Sequence, residues 1–436
     1  MKRWILSFVV VLLVFSPVGA QDFRFTDDVQ KFQLANGITV LVKENPAFDI
    51  ISMVLLSNVG SVHDPVGLAG LTSLTQESIM KGTKNLTEQE LVLALESQGV
   101  HMGSETAFEM AALVFQSTTD KFDSGIQLFW DVLKNPVFPE SEVEWAQQLA
   151  YYGVLSLMDQ PTTEVVLTFL KEFYGETGYG MSPLGSLETI PNLTRDDLVD
   201  WYSVIYQPQN LVISIVGNVE TAEVIALLEE EIGSWQPPKS SGRLIPNRAA
   251  FTPPIQSSQK QINKPTQAAW MILGFPAPSA VEEDGAAMAV LNAVLGSGMG
   301  SRLFTEVRDQ RGLAYVIMSE YAPYYGPSHI LAFLGTHPST VDEARAQVLE
   351  QFNRFVNEEL TDEELEIAST LVRGQYLMNN ETNLSQAVVL GTNELLGPGY
   401  EWADEYPRLI SSVTKRDVQE TAEEYFKAYV EALLVP

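Results

Sequence analysis

Two side chains in this sequence are suited to hold an oxygen atom that carries or is acquiring negative charge: Arg308 and Tyr315, seven positions apart. A guanidinium and a phenol are hydrogen-bond donors that need no metal, and together they would make an anion or carbonyl clamp. The stretch from Ser301 to Tyr321 indicates how they are brought together. Ser301 is a favourable helix N-cap, Leu303, Phe304 and Val307 recur at helical spacing, and Gly312 supplies a left-handed stop. Tyr315-Val-Ile-Met-Ser-Glu-Tyr321 then reads as a strand. Arg308 is expected on the last helical turn and Tyr315 at the root of the strand. The plainer alternative is that Arg308 pairs with Glu306 or Asp309 in solvent while Tyr315 packs in the sheet.

Other reactive chemistry is sparse. The four histidines, His63, His101, His329 and His337, form no pair at i, i+3 or i, i+4, the spacing by which one helix offers two ligands to zinc. Cysteine is absent, which excludes disulfides and thiol catalysis. There is no G-x-S-x-G elbow and no Walker loop. Gly296-Ser-Gly-Met-Gly300 lacks the lysine of a phosphate loop and reads as a turn.

The elements that would carry the Arg/Tyr pair belong to a long, acidic chain. Of 436 residues, the first twenty have the pattern of a secretory signal: Lys2-Arg3, an apolar run to Phe15, then Pro17-Val-Gly-Ala20. The run is short for a bilayer span, so stable membrane insertion is not expected. Removing it takes the net charge from −30 to −32. Such a charge repels a phosphate backbone and argues against nucleic acid as a partner. The remaining length exceeds one ordinary core and implies two domains.

Breakers between Trp235 and Gln267, including Pro237-Pro238, Ser240-Ser241-Gly242 and Pro253-Pro254, mark a linker. The expected division is therefore a signal at 1–20, a first domain at 21–235, a linker at 236–266 and a second domain at 267–436. The two halves resemble each other. Thr194-Arg-Asp-Asp197 matches Thr414-Lys-Arg-Asp417 at an offset of 220, and the region from Phe129 to Gln147 resembles that from Phe352 to Ala368. This period is far too long for a solenoid and indicates a duplicated domain. Hairpin-like strands followed by helix pairs favour an α+β fold, each half a mainly antiparallel sheet with helices packed on one face. In the first half the strands are expected at 32–43, 50–59, 110–117 and 211–217, with helices at 67–80, 87–98, 120–133 and 140–158.

Several phrases, in order, resemble the pitrilysin/insulinase zinc peptidases, the inverzincins. They are Gly37-Ile-Thr-Val-Leu-Val, Asn58-Val-Gly-Ser-Val-His, Gly67-Leu-Ala-Gly-Leu-Thr-Ser-Leu-Thr-Gln-Glu77-Ser-Ile-Met-Lys-Gly-Thr83, and Leu295-Gly-Ser-Gly-Met-Gly-Ser-Arg-Leu-Phe-Thr-Glu-Val-Arg-Asp-Gln-Arg-Gly-Leu-Ala-Tyr315. The resemblance covers nearly all of the chain beyond the signal and implies half of a clam-shell peptidase. Active members carry H-x-x-E-H, with two histidine ligands and a general-base glutamate, just ahead of the Lys-Gly-Thr phrase. Counting back from Lys81, those positions hold Ser73, Gln76 and Glu77. The position of the family's third ligand, a later glutamate, falls at Tyr152 and Gly153.

The resemblance therefore implies no metal ligand in this chain, but keeps the family's Arg and Tyr as Arg308 and Tyr315. In the family these bind the substrate carbonyl and stabilise the oxyanion. The expectation is a non-catalytic subunit of a heterodimeric periplasmic zinc metallopeptidase. It would lend Arg308 and Tyr315 in trans to a homologous partner that carries H-x-x-E-H and the zinc, and would help enclose a peptide substrate. The alternative is a scaffold or peptide-binding protein that retains only the fold.

Overall fold

The computed structural model describes residues 24–238 and 251–436. The expected signal, 1–20, lies outside them, as do residues 239–250 of the expected linker. The first sheet contains β1 (Val29–Gln33), β2 (Thr39–Glu44), β3 (Ile50–Ser57), β4 (His101–Thr106), β5 (Ala111–Thr118) and β6 (Leu211–Gly217). Its order is β1-β2-β6-β3-β5-β4. The second contains β7 (Ser258–Asn263), β8 (Ala269–Ala277), β9 (Val316–Ala322), β10 (Ser328–Thr336) and β11 (Val430–Val435), in the order β7-β11-β8-β10-β9. Apart from the additional β1 the two orders are equivalent. Even the parallel pairings correspond, β2 with β6 and β7 with β11, within sheets that are otherwise antiparallel.

Helices of the first half are α1 (Leu71–Ser78), α2 (Glu88–Gln98), α3 (Phe122–Lys134), α4 (Glu140–Met158), α5 (Pro161–Tyr174), α6 (Arg195–Ile205) and α7 (Thr221–Ile232). Those of the second are α8 (Gly285–Gly296), α9 (Val341–Asn357), α10 (Asp362–Asn379), α11 (Asn383–Leu396), α12 (Trp402–Ser412) and α13 (Lys415–Tyr425). The repeat seen in the sequence is a repeated capping box. Thr194 caps α6 and accepts from the Asp197 N–H at 3.2 Å, and Thr414 caps α13 in the same way with Asp417, also at 3.2 Å. Among the described residues no helix is long and apolar enough to cross a membrane.

Three expectations need correction. The run at 32–43 is not one strand but the β1–β2 hairpin. The region read as linker, 236–266, contains strand β7, which pairs along β11. Its polar sequence, Ser-Gln-Lys-Gln-Ile-Asn, suits a solvent-facing sheet edge and gives no apolar signal. Lastly, the helices do not stay on one face of each sheet. Each half packs its own helices on one face, where Met53, Leu55 and Ile213 bury in the first core and Met271, Leu273 and Phe275 in the second. The opposite face of each sheet is covered by a helix from the other half.

That exchange is reciprocal. Helix α11, from the second half, lays Ala387 and Leu390 on Leu41, Val54, Leu56 and Val216 of the first sheet. Helix α5, from the first half, lays Val165, Phe169 and Phe173 on Ile272, Leu331, Ala432 and Leu434 of the second. With both faces covered, the central strands are apolar throughout instead of alternating. Polar contacts reinforce the junction: Lys43 donates to Gln386 at 2.9 Å, and Glu109 accepts from the Tyr325 and Gly326 amides at 2.8 Å.

Two predictions follow from this packing. Phe169→Ala leaves a cavity under the exchanged helix and should lower unfolding free energy by about 3–5 kcal/mol in urea titration. His329 is buried beside α5 with Nδ1 2.7 Å from the Tyr174 hydroxyl, and burial pushes its pKa down to about 4. The folded state thus binds fewer protons than the unfolded one, whose histidine titrates near 6.5. Stability should fall as pH drops from about 6.5 toward 4, and His329→Phe should flatten that part of the stability-against-pH curve.

Candidate functional site

Arg308 and Tyr315 flank a tight reversal whose base is rigid. Residues Leu303–Asp309 form a π-helical turn, with the Gln310 amide donating to the Thr305 carbonyl at 3.0 Å. Such wide turns are rare and recur at functional sites. Ser301 does not cap it as expected. Its hydroxyl donates instead to the Gly298 carbonyl at 2.7 Å, and Arg302 takes the cap position. The Arg302 side chain is almost fully buried. It makes a two-pronged pair with Glu364 on α10, at 2.8 and 3.1 Å, and lies over the Phe355 ring at 4.5 Å. Burial opposes the Glu364 charge, yet Arg302 and Thr361 outweigh it and hold the carboxyl below its usual range. This anchor has the signal of a bidentate Arg–carboxylate pair, but its partners are 62 residues apart and sequence reading passed over it.

Beyond the anchored base the two donors are free. Gly312 adopts φ +64° as expected, and its amide closes the turn on the Arg308 carbonyl at 3.0 Å. The Tyr315 amide joins the sheet through the Gly335 carbonyl at 2.8 Å, so the tyrosine stands at the root of β9. Its side chain is 58% exposed. Arg308 is exposed too and, among the described residues, no carboxylate pairs with it; its guanidinium rests over Phe304 at 4.9 Å. Glu306, the partner in the plainer reading, is taken by Arg311 at 3.1 Å. No hydrogen bond joins Arg308 to Tyr315, so both keep donors available. Close packing of α8 behind β9 fixes the strand, because a Cβ at Gly296 would overlap the Ser319 backbone.

The three motif positions sit on α1 in the first half, and each is already satisfied. The Ser73 hydroxyl donates to the Pro183 carbonyl at 2.6 Å. Gln76 is 2% exposed; its amide donates to the Ala112 carbonyl at 3.1 Å and its oxygen accepts from the Tyr206 hydroxyl. Burial pushes that phenol well above its ordinary pKa, which keeps it a donor. Glu77 points to solvent and pairs with Lys81 at 2.7 Å, four residues on. Ser73 and Glu77 line a cleft of about 470 Å³ between α1 and α4, otherwise walled by Leu74, Leu149, Val154 and Leu184. Gly153, at the third ligand position, lines the same cleft and offers no donor atom. Among the described residues no three His, Cys, Asp or Glu side chains are grouped to hold a metal ion. A hydroxyl, an amide committed to the core and one ion-paired carboxylate do not fit a zinc site.

Gln76→Leu would strand the Tyr206 hydroxyl, at a cost of about 1–3 kcal/mol for each buried group left unpaired. Gln76→Glu should be destabilised in a pH-dependent way. Burial would raise the new carboxyl's folded pKa above the ordinary 4.3 or so, so its folded form holds the proton longer and stability falls as pH rises. Paired urea titrations at pH 5 and pH 8 check both.

Comparison with known proteins matches the family and the fold. Residues 39–185 match the insulinase family, peptidase family M16, and residues 192–371 match the Peptidase M16 inactive domain. An uncharacterized zinc protease of Rickettsia bellii is 25% identical over 91% of this chain and 94% of its own. The uncharacterized zinc protease YmxG of Bacillus subtilis is 24% identical over 94% and 98%. Among solved structures, a protease from Helicobacter pylori superposes with TM-score 0.85 at 21% identity, covering 94% of this chain and 99% of that one. A peptidase M16 inactive domain from Pseudomonas fluorescens gives TM-score 0.85 at 22% identity over 94% and 98%. The periplasmic protease PqqL of Escherichia coli gives 0.80 at 16% identity, with 94% of this chain covering 46% of that longer one. With its duplicated sheets, its ordered phrases and both family matches, this chain belongs to the insulinase family of peptidases, M16.

Proposed function

We propose that this chain is a non-catalytic subunit of a two-chain periplasmic zinc peptidase, supplying Arg308 and Tyr315 to the active site of a homologous partner. The observation that carries this reading is the contrast between the two halves. Every polar group at the zinc-motif positions is tied to a neighbour, whereas the two candidate oxyanion donors stand exposed on an anchored turn with no hydrogen-bond or ion-pair partner among the described residues. An unpaired arginine on an anchored base is well suited to meet a carbonyl or oxyanion brought to it, since little reorganisation is needed on contact. The zinc and the general base would come from the partner's H-x-x-E-H. The peptide would lie between the subunits. The length relation to PqqL supports such an assembly, because this chain corresponds to about half of that periplasmic protease. The signal-like first twenty residues support export. The stacking of Arg308 on Phe304 favours the competing reading, in which the pair is retained for packing alone.

The two readings separate on a reconstituted complex. Mixed with an H-x-x-E-H homologue from the same cell envelope, the chain should raise peptide turnover. Arg308→Ala should then lower kcat on the order of 10²–10³-fold, as for loss of one oxyanion donor, while the complex still forms by size-exclusion chromatography. An unchanged kcat would favour the packing role and end the shared-site reading.

A further inference from the structure

A second site lies away from both the α1 cleft and the Arg/Tyr turn. Where α8, the end of β9, α10, α11 and α12 meet, a cleft of about 290 Å³ is lined by Tyr321, Tyr325, Tyr376, Trp402 and Tyr406, with Asn393 at one wall. Three of the four phenols already donate to a protein oxygen. Tyr321 donates to the Pro278 carbonyl at 2.7 Å, Tyr325 to Asn393 Oδ1 at 2.8 Å, and Tyr376 to the Ala403 carbonyl at 3.0 Å. Those rings are thereby fixed and contribute chiefly aromatic carbon. The Tyr376 and Tyr406 rings meet at 54°, with centroids 5.2 Å apart, and form a corner. The Tyr406 hydroxyl, by contrast, has no hydrogen-bond partner among the described residues, and the side chain is half-buried.

The lining of the cleft is uncharged. No lysine, arginine or histidine lines it. Carboxylates lie nearby: Glu282 opposes ionisation of Tyr321, and Asp404 opposes that of Tyr376, each adding to the effect of burial. Aromatic faces attract cations through the ring quadrupole, and several rings about one small cavity are how proteins recognise quaternary ammonium groups. A primary ammonium fits less well. It is compact and strongly hydrated, and walls made chiefly of aromatic carbon replace little of that hydration. A trimethylammonium group has no donors to strand.

We propose that this aromatic cleft binds a small quaternary ammonium ion, the trimethylammonium group resting among Tyr376, Trp402 and Tyr406. A hydroxyl carried by the ligand would pair with the free Tyr406 oxygen.

The test is calorimetric titration of the full chain with choline chloride, with its neutral isostere 3,3-dimethylbutan-1-ol, and with N-acetyl-lysinamide, all at matched ionic strength. Choline should bind saturably, and both other compounds at least about tenfold more weakly, the scale of a desolvated cation–π contact. Tyr406→Phe should weaken choline several-fold while keeping the cation preference, and Trp402→Leu should abolish binding with the circular dichroism spectrum retained. Should Trp402→Leu fail to fold, the choline–isostere ratio in the native chain and Tyr406→Phe decide the matter. No saturable choline binding, equal affinity for the isostere, or tighter binding of the lysine derivative would each overturn the assignment. None of these outcomes depends on the peptidase reading, since the readout needs no partner subunit.

Discussion

The exchange of α5 and α11 is the constraint on which the rest of this structure depends. A five- or six-stranded sheet with helices on one face leaves the other face apolar, and here the strands bring Val54, Leu56 and Val216, or Ile272, Leu331 and Leu434, to that second face. Neither half can cover this surface alone, and exposing it would cost the hydrophobic free energy of an entire core layer. Each half solves the problem for the other. The result couples the halves more tightly than a linker between independent domains would, through apolar contact and through the Glu109 and Lys43 hydrogen bonds at the seam. It also holds the α1 region and the Arg308–Tyr315 turn in one frame, since α4 leads directly into α5, and α10 directly into α11.

Within that frame Ser73, Gln76 and Glu77 on α1 are satisfied by the protein itself. Polar side chains on a helix packed against the core must find partners, because buried polar groups without them are costly. Gln76 does so by spanning from a strand carbonyl to a buried phenol, Ser73 by binding a loop carbonyl, and Glu77 by turning out to Lys81. The cleft between α1 and α4 is left largely apolar. The second-half turn shows the opposite balance. Its base is secured by Arg302 and Glu364, yet its tips carry unspent donors.

Much of this was legible in the sequence because the signals are local. The capping boxes at Thr194 and Thr414, the left-handed stop at Gly312, the strand beginning near Tyr315 and the bounds of α4 all follow from residue preferences over a few positions. The duplication was visible for the same reason: repeated local grammar survives in repeated order. The substitutions at Ser73, Gln76 and Glu77 could also be read directly, since one turn of helix fixes their relative placement.

What the sequence did not reveal is non-local. Strand β7 is polar and reads as linker; it is a strand only because β11 offers it an edge. Helix α5 has an apolar stripe, but nothing along the chain says that the sheet it covers belongs to the other half. The Arg302–Glu364 anchor joins residues 62 apart, and the aromatic cleft assembles five rings from three separate segments. The sequence by itself determined the duplicated α+β design, the residue types at Ser73, Gln76 and Glu77, and the spacing of Arg308 and Tyr315. The tertiary structure alone decided which surfaces meet, how Gln76 is satisfied and that the two donors stand free. Preferences along a chain act over a few residues, whereas burial and hydrogen-bond satisfaction are settled between whichever segments folding brings into contact.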